Sequence, residues 1–317
     1  MDAREKELLR RLAAWLEEGA ALLRELAGGP PGDAQEAEPS GRGRLNQGAG
    51  AAGLEGSRGV PQERPRQIRR LLEARGVRVR RTLELGEGDR GLLALAGLMG
   101  RKLANVRPLL DRIKRAIAGG RRVQMDLSRC SQEAVADVTL VAGLASRAGL
   151  LYNYQYLKAP RFRLSFDITA ADPVTRFFTG RWLELFAVQA LQRVEEAIGV
   201  CLPHLWGAEV ELPNGDLFEL DLVVALGDRL VWVEAKTAQD YAALLPKYRR
   251  ISELLCPTAR EAVLLWSELS GQDPVGATRG SLARMTPCPP GELQAYLEGL
   301  VREAMVGKRG PVEGTGP

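Results

Sequence analysis

Histidine is almost missing from this 317-residue chain: His204 is the only one, in a Cys-Leu-Pro-His-Leu-Trp stretch where a structural role is the plainer reading. One imidazole cannot build a His-based zinc site, and it leaves little room for Ser–His or Cys–His catalysis. Cysteine is scarce too. Cys130, Cys201, Cys256 and Cys288 stand far apart with no Cys-x-x-Cys pair, which argues against zinc or a disulfide framework and for reduced thiols in a cytoplasmic setting. Aromatics are 5% of the chain, and Trp232 and Trp266, each inside an apolar run, are read as core. No apolar run reaches the roughly 18 residues of a membrane span. The opening MDAREKELLRRL lacks the basic-then-apolar order of a secretory signal. Gly-x-Gly-x-x-Gly and Gly-x-x-x-x-Gly-Lys-[Ser/Thr] loops, which cradle nucleotide phosphates, do not occur in the strand–helix–strand stretch where they would be expected. Chemistry in this chain must run on carboxylates, lysine and bound metal.

Charge is plentiful but uneven. The net charge is +4, yet residues 64–122 hold 17 Lys or Arg against five Asp or Glu, a surplus of 12 that leaves −8 for the rest. A block of this kind is the electrostatic footprint of a phosphate-backbone partner. Arg101, Lys102, Arg107, Arg112, Lys114 and Arg115 are its candidate nucleic-acid contacts; the alternative is a solvated helix surface in an arginine-rich protein. Tyr152, Tyr154 and Tyr156 alternate along one strand, where they can stack unpaired bases or cover a half-exposed sheet.

Five segments follow from composition and periodicity. Leu8, Leu12, Trp15, Leu22 and Leu26 fall on one face of an amphipathic helix within residues 1–27, a route to a homodimer. Residues 28–63 have almost no large apolar side chain and read as a disordered linker. Residues 64–170 read as a basic, mainly helical α+β region, with a strand at Arg121–Leu127, a helix at Ser131–Gly149 and one or two strands after it. Residues 171–305 read as an α/β domain. A helix over 173–199, interrupted near Gly180, leads to strands GAEVELP, LFELDLVVAL and RLVWVEAKT joined by Gly-containing turns. The helix Tyr241–Leu255, the strand EAVLLWS and the helix GELQAYLEGLVREAM follow, and 306–317 reads as a disordered tail.

The chemistry-bearing residues lie on those strands. Alternation puts Glu234 and Lys236 on one face of a strand, and the turn at Gly227-Asp228 brings Asp221 back beside them. Charged residues inside runs as apolar as Leu-Asp-Leu-Val-Val and Val-Trp-Val-Glu-Ala-Lys are rarely placed there without a task. Two carboxylates that hold Mg2+ or Mn2+, with a lysine that positions or deprotonates a water and neutralises a phosphate, suit phosphodiester hydrolysis. The Ala235 carbonyl can add a ligand. Glu219, two residues before Asp221, shares its face by the same alternation and can ligate or orient a ligand, or simply lie exposed; Glu184 on the preceding helix can complete the acidic cluster.

The strings GRWLE (180–184), FELDLVV (218–224) and LVWVEAKT (230–237), in this order, resemble the PD-(D/E)xK restriction-endonuclease-like superfamily. More narrowly they look like the nuclease domain at the C-terminus of CRISPR ancillary nucleases activated by cyclic oligoadenylate. The resemblance covers roughly residues 173–270. It implies a three-layer α/β domain with a central mixed sheet, Asp221 and Glu234 as metal ligands, Lys236 as the catalytic lysine and Glu184 as the helix carboxylate. Thr237 matches the residue after that lysine, and Lys247 and Tyr248 are candidates on the following helix. It further implies a nuclease that acts on nucleic acid, DNA favoured, in defence. The family's sensor is a Rossmann-like domain of well over a hundred residues. Here only 121–166 is comparable and has no Gly-rich ligand loop, so residues 64–170 are read as a nucleic-acid-binding or a degenerate sensor domain, with a cyclic oligoadenylate partner left open. RNA cleavage by the same site, and a nucleic-acid-binding or assembly protein with a relic fold, are the alternatives.

Overall fold

The computed structural model describes residues 63–86, 89–119, 122–237, 242–268 and 274–307. The expected helix within 1–27, the linker up to residue 62 and the tail beyond Gly307 lie outside the described residues. Val306 and Gly307 belong to the last helix.

From the N-terminal side come α1 (Glu63–Glu73), the strand β1 (Arg78–Leu83), and the helices α2 (Asp89–Arg101) and α3 (Leu103–Gly119). A small unit follows: β2 (Arg122–Asp126), α4 (Gln132–Arg147), β3 (Tyr152–Leu157) and β4 (Arg163–Asp167), whose strands form an antiparallel sheet in the order β2-β4-β3. Helix α5 (Asp172–Arg176), a π-helical turn (Phe177–Arg181) and α6 (Trp182–Ile198) are the expected interrupted helix, with the interruption a π turn around Gly180. Then come β5 (His204–Glu211), β6 (Leu217–Leu226), β7 (Arg229–Lys236), α7 (Leu245–Leu255), β8 (Ala262–Trp266), α8 (Pro274–Ala283), β9 (Thr286–Cys288) and α9 (Pro290–Gly307).

The main sheet is mixed and has six strands in the order β1-β5-β6-β7-β8-β9. Neighbours from β1 to β7 run antiparallel, and β7, β8 and β9 run parallel. Its strands are apolar on both faces, so both must be covered. Val231, Val233, Leu222 and Val263 pack with Trp182, Leu183 and Phe186 of α6. Leu230 and Trp232 pack on the other side with Ile68 and Leu72 of α1 and Tyr248 and Ile251 of α7. The result is a three-layer α/β arrangement. The first core runs on through α2 and α3 to Val123, Met125, Leu164 and Phe166 of the small sheet. Close seating of α2 on α6 depends on two glycines: a Cβ at Gly97 would lie 1.5 Å from Gln189 Oε1, and one at Gly100 would lie 2.2 Å from the Phe186 ring.

Several expectations need correction. Residues 64–170 do not form one region apart from the main sheet, because β1 is its edge strand and α1 packs against it. The segment RVRRTL reads as basic helix surface, yet as an edge strand it keeps its arginines at the surface while Val79 packs inward. Asn153, with φ 51°, breaks the tyrosine alternation: Tyr152 stays exposed, whereas Tyr154 and Tyr156 pack on the core. His204 opens β5, and α8 and β9 occupy a stretch whose Gly and Pro content hid them. Burial pushes the Cys256 and Cys288 thiols up to about 12, which keeps them protonated. No described helix is long and apolar enough to cross a membrane.

Candidate active site

The hairpin between β6 and β7 sets the geometry. Leu226 pairs with Arg229 across the two-residue turn Gly227-Asp228, and Gly227 has φ 74°. A glycine at the first central position gives the turn whose twist matches the strands. The register continues back to Leu222 opposite Val233, which sets Asp221 beside the segment Glu234–Lys236. The Ala235 backbone N–H donates to Asp221 Oδ2 at 2.7 Å, and Lys236 Nζ lies 2.8 Å from Glu234 Oε1. Asp221 is 8% and Glu234 2% exposed, so both carboxylates sit largely out of water.

Their electrostatics follow from that burial. Burial first, then the charges of Glu234 and Glu184, hold the Asp221 carboxyl well above the usual carboxylate range. Burial raises Glu234 as well, although Lys236 and the Tyr248 hydroxyl pull it back. For Lys236, burial pulls down, but Glu234 and Asp221 pull harder, and the ammonium is held above its ordinary value. Burial and Glu234 together raise the Tyr248 phenol. Glu234 Oε2 is buried with no hydrogen-bond partner among the described residues, a condition that costs about 1–3 kcal/mol when nothing answers it.

A break in the strand pattern lies at the level of Asp221. Leu222 and Val224 pack with the α6 core, yet Leu220, two residues before Leu222, packs with the opposite one. On β5, Trp206 and Ala208 are divided in the same way, between them Gly207 at φ 52°. A Cβ at Gly207 would fall 2.2 Å from Leu83 Cδ1, and the β1–β5 register also shifts here. Irregularities of this kind re-aim side chains beside functional sites. Glu219 is exposed, stands opposite Glu209, and lines a cleft of about 720 Å³ with Glu184, Arg181 and Arg81.

Glu184 is one-fifth exposed and paired with Arg181 at 2.8 Å; the Arg181 guanidinium stacks 3.9 Å from the centre of the Trp206 ring. Sequence reasoning missed Arg181, although its three-residue helical spacing from Glu184 is the signal that could have found it. Thr237 Oγ1 donates to the Thr179 carbonyl in the π turn, tying the end of β7 to the segment before Glu184.

Tyr248 is 1% exposed and lies beside Glu234 and Lys236, so its ring is not open to stack on a base. Lys247 donates to the Leu217 carbonyl at 3.3 Å and sits over Phe218. The basic-block candidates are held by neighbours: Arg101 by Gln189 at 2.8 Å, Lys102 by Glu133 at 3.2 Å, Arg107 by Glu268 at 2.7 Å. Arg112 donates to the Gln124 carbonyl, Lys114 to that of Thr237 and Arg115 to that of Asp111.

Among the described residues, no three of His, Cys, Asp and Glu gather into a metal cage. Asp221 and Glu234 nevertheless suit a hard divalent cation. They are two buried carboxylates whose charged forms repel, and one carries an oxygen without a donor. The remaining ligands would come from the Ala235 carbonyl, water and substrate.

No protein family matches the chain, and no curated protein matches it. Solved structures do. Protein VC1899 from Vibrio cholerae superposes with a TM-score of 0.52 at 17% identity, over 75% of this chain and 62% of that one. Can2 from Sulfobacillus thermosulfidooxidans, solved in complex with cyclic tetra-adenylate, gives 0.51 at 13% identity, over 74% and 60%. The chain thus spans less than two thirds of either protein, and the likeness is one of fold.

Proposed function

We propose that this chain is a metal-dependent nuclease of the PD-(D/E)xK type that hydrolyses phosphodiester bonds, DNA favoured, in a CRISPR-linked setting. The observation that carries the reading is the set of buried Asp221 and Glu234 with half-buried Lys236, on adjacent β6 and β7 away from the turn that joins them, with Glu234 Oε2 left without a donor. The shared fold with Can2, solved with its cyclic tetra-adenylate, supports the setting.

Asp221 and Glu234 would hold Mg2+ or Mn2+, which when bound supplies Lewis acidity and lowers the pKa of a water. Asp221 is fixed by the Ala235 N–H, and Glu234 by Lys236. Lys236, kept as an ammonium by the two carboxylates, serves as a donor that orients the water and offsets phosphate charge rather than as a base. Glu184 adds negative potential from the cleft side, tempered by Arg181.

The test is incubation with plasmid, linear duplex, single-stranded DNA and RNA, in Mg2+, Mn2+ or EDTA, with and without cyclic tetra-adenylate, beside Lys236→Ala. Cutting that needs metal and Lys236 supports the reading, and the substrate that is cut decides DNA against RNA. Cutting that survives EDTA or the substitution sinks it. Dependence on the cyclic nucleotide would assign a sensor to the chain.

A further inference from the structure

The strand that carries Glu234 and Lys236 ends in bonds to a helix far upstream in sequence. Lys114 Nζ on α3 donates to the Thr237 carbonyl at 3.0 Å, one residue beyond Lys236. Seven residues earlier on the same helix, Arg107 donates to the Ser267 carbonyl and pairs with Glu268. Ser267 in turn donates its N–H to the Lys236 carbonyl at 3.0 Å. A seven-residue step is two helical turns on one face, about 10 Å, so a single stripe of α3 holds the exits of both β7 and β8. The Lys114 side chain is partly buried where it meets the Thr237 carbonyl. An ammonium spent on a backbone carbonyl is placed to fix a strand end. The other end of α3 is fastened to the small unit by Asn105 Nδ2 on Asp137 at 2.7 Å, and Lys102, just before the helix, pairs with Glu133.

We infer that Lys114 is a positioning residue for Lys236: through the Thr237 carbonyl it sets where the strand end, and with it the lysine ammonium, stands relative to Glu234. The inference rests on the nuclease reading of that site. It also reassigns Lys114, and with it Arg107, from phosphate contact to strand clamp.

The experiment compares the full chain with Lys114→Met and Lys114→Arg. Three readouts are kinetics with the substrate found above, thermal unfolding, and hydrogen exchange in the peptide covering Val233–Thr237. A misplaced catalytic group costs about 10- to 100-fold. The Met variant is expected to lose that much kcat with KM within about twofold, and its β7-end amides to exchange about tenfold faster while those of β5 keep their rate. Arg, which restores a donor, should recover kcat to within about threefold. Three results overturn the inference: a raised KM with unchanged kcat, which marks a residue that touches substrate; unchanged kcat and exchange; or an Arg variant as impaired as Met. If the wild-type chain cuts nothing, the nuclease reading fails, and the exchange arm still decides whether Lys114 holds the strand.

Discussion

Where β2 and β4 pair in the small sheet, Arg122 stands opposite Asp167 and Asp126 opposite Arg163, so each cross-strand ionic position joins opposite signs at the surface. In the six-stranded sheet, Glu219 stands opposite Glu209, and Asp221 and Glu234 are buried on neighbouring strands. Opposite-charge pairs across strands contribute about 0.2–1 kcal/mol, and like charges directly opposite cost stability. The first sheet is arranged as stability alone would arrange it. The second also pairs Arg78 with Glu211 and Arg81 with Glu209, but it buries Asp221 and Glu234 side by side at a cost, and structures tend to carry such costs where they work.

The largest expected effect comes from removing that costly set. Lys236→Ala and Glu234→Gln should each lower cutting by about a thousandfold, the scale of deleting one group that stabilises the transition state. Arg163→Gln in the small sheet should leave the cutting rate within about twofold. A variant of Lys236 or Glu234 that cuts normally would make the buried set an ordinary ion-pair network and erase the contrast between the sheets.

The next effect tests the break in the large sheet. Gly207→Val would force a β-branched side chain to φ 52° and against Leu83. A drop of about 2–4 kcal/mol is expected in urea unfolding. An unchanged midpoint would show that β5 adopts a regular conformation at Asp221's level.

How legible the fold and site are depends on what each residue's neighbours in sequence can reveal. The β6–β7 hairpin is readable in full, because apolar alternation and one Gly-Asp turn set the register that joins Asp221 to Glu234. Strand β1 is not, since Arg78–Leu83 shows only charge locally and owes its conformation to pairing with β5 more than a hundred residues away. The break between Leu220 and Leu222 escapes the sequence because alternation assumes a regular strand, and its counterpart at Gly207 lies on a different strand. Lys114 looks like any other lysine of the basic block. Its partner, the Thr237 carbonyl, leaves no mark in the sequence.

A smaller effect reads the stored charge directly. The Asp221 carboxyl is raised by burial, so its contribution to stability is present below the usual carboxylate range and lost as pH rises through the raised value. In EDTA the melting temperature should therefore fall as pH rises above the usual carboxylate range, and Asp221→Asn should flatten that fall, gaining about 2–4 °C at the alkaline end per kcal/mol relieved. Added Mn2+ should stabilise the wild type more at pH 8 than at pH 5, and the Asn variant less than the wild type at both. A fall with pH that persists unchanged in Asp221→Asn would place the titrating charge elsewhere.

The smallest effect concerns the surface of α3. Arg112 and Arg115 are three residues apart on the helix, and their hydrogen bonds, to the carbonyls of Gln124 and Asp111, lie at the exposed surface. With Arg107 and Lys114 given to strand ends and Lys102 to carboxylates, these two are the members of the block best placed to meet phosphate. Replacing both with Gln should change stability by less than about 0.5 kcal/mol. Each phosphate no longer neutralised should flatten the slope of log affinity against log salt by roughly 0.9. The double variant is thus expected to bind a DNA duplex with a slope shallower by about two, whereas Lys114→Met should leave the slope nearly unchanged. The reverse result, with Lys114 carrying the salt dependence and the arginines none, would return the clamp to the phosphate surface. The surplus of positive charge in residues 64–122 would then act on nucleic acid through the very face of α3 that meets the ends of β7 and β8.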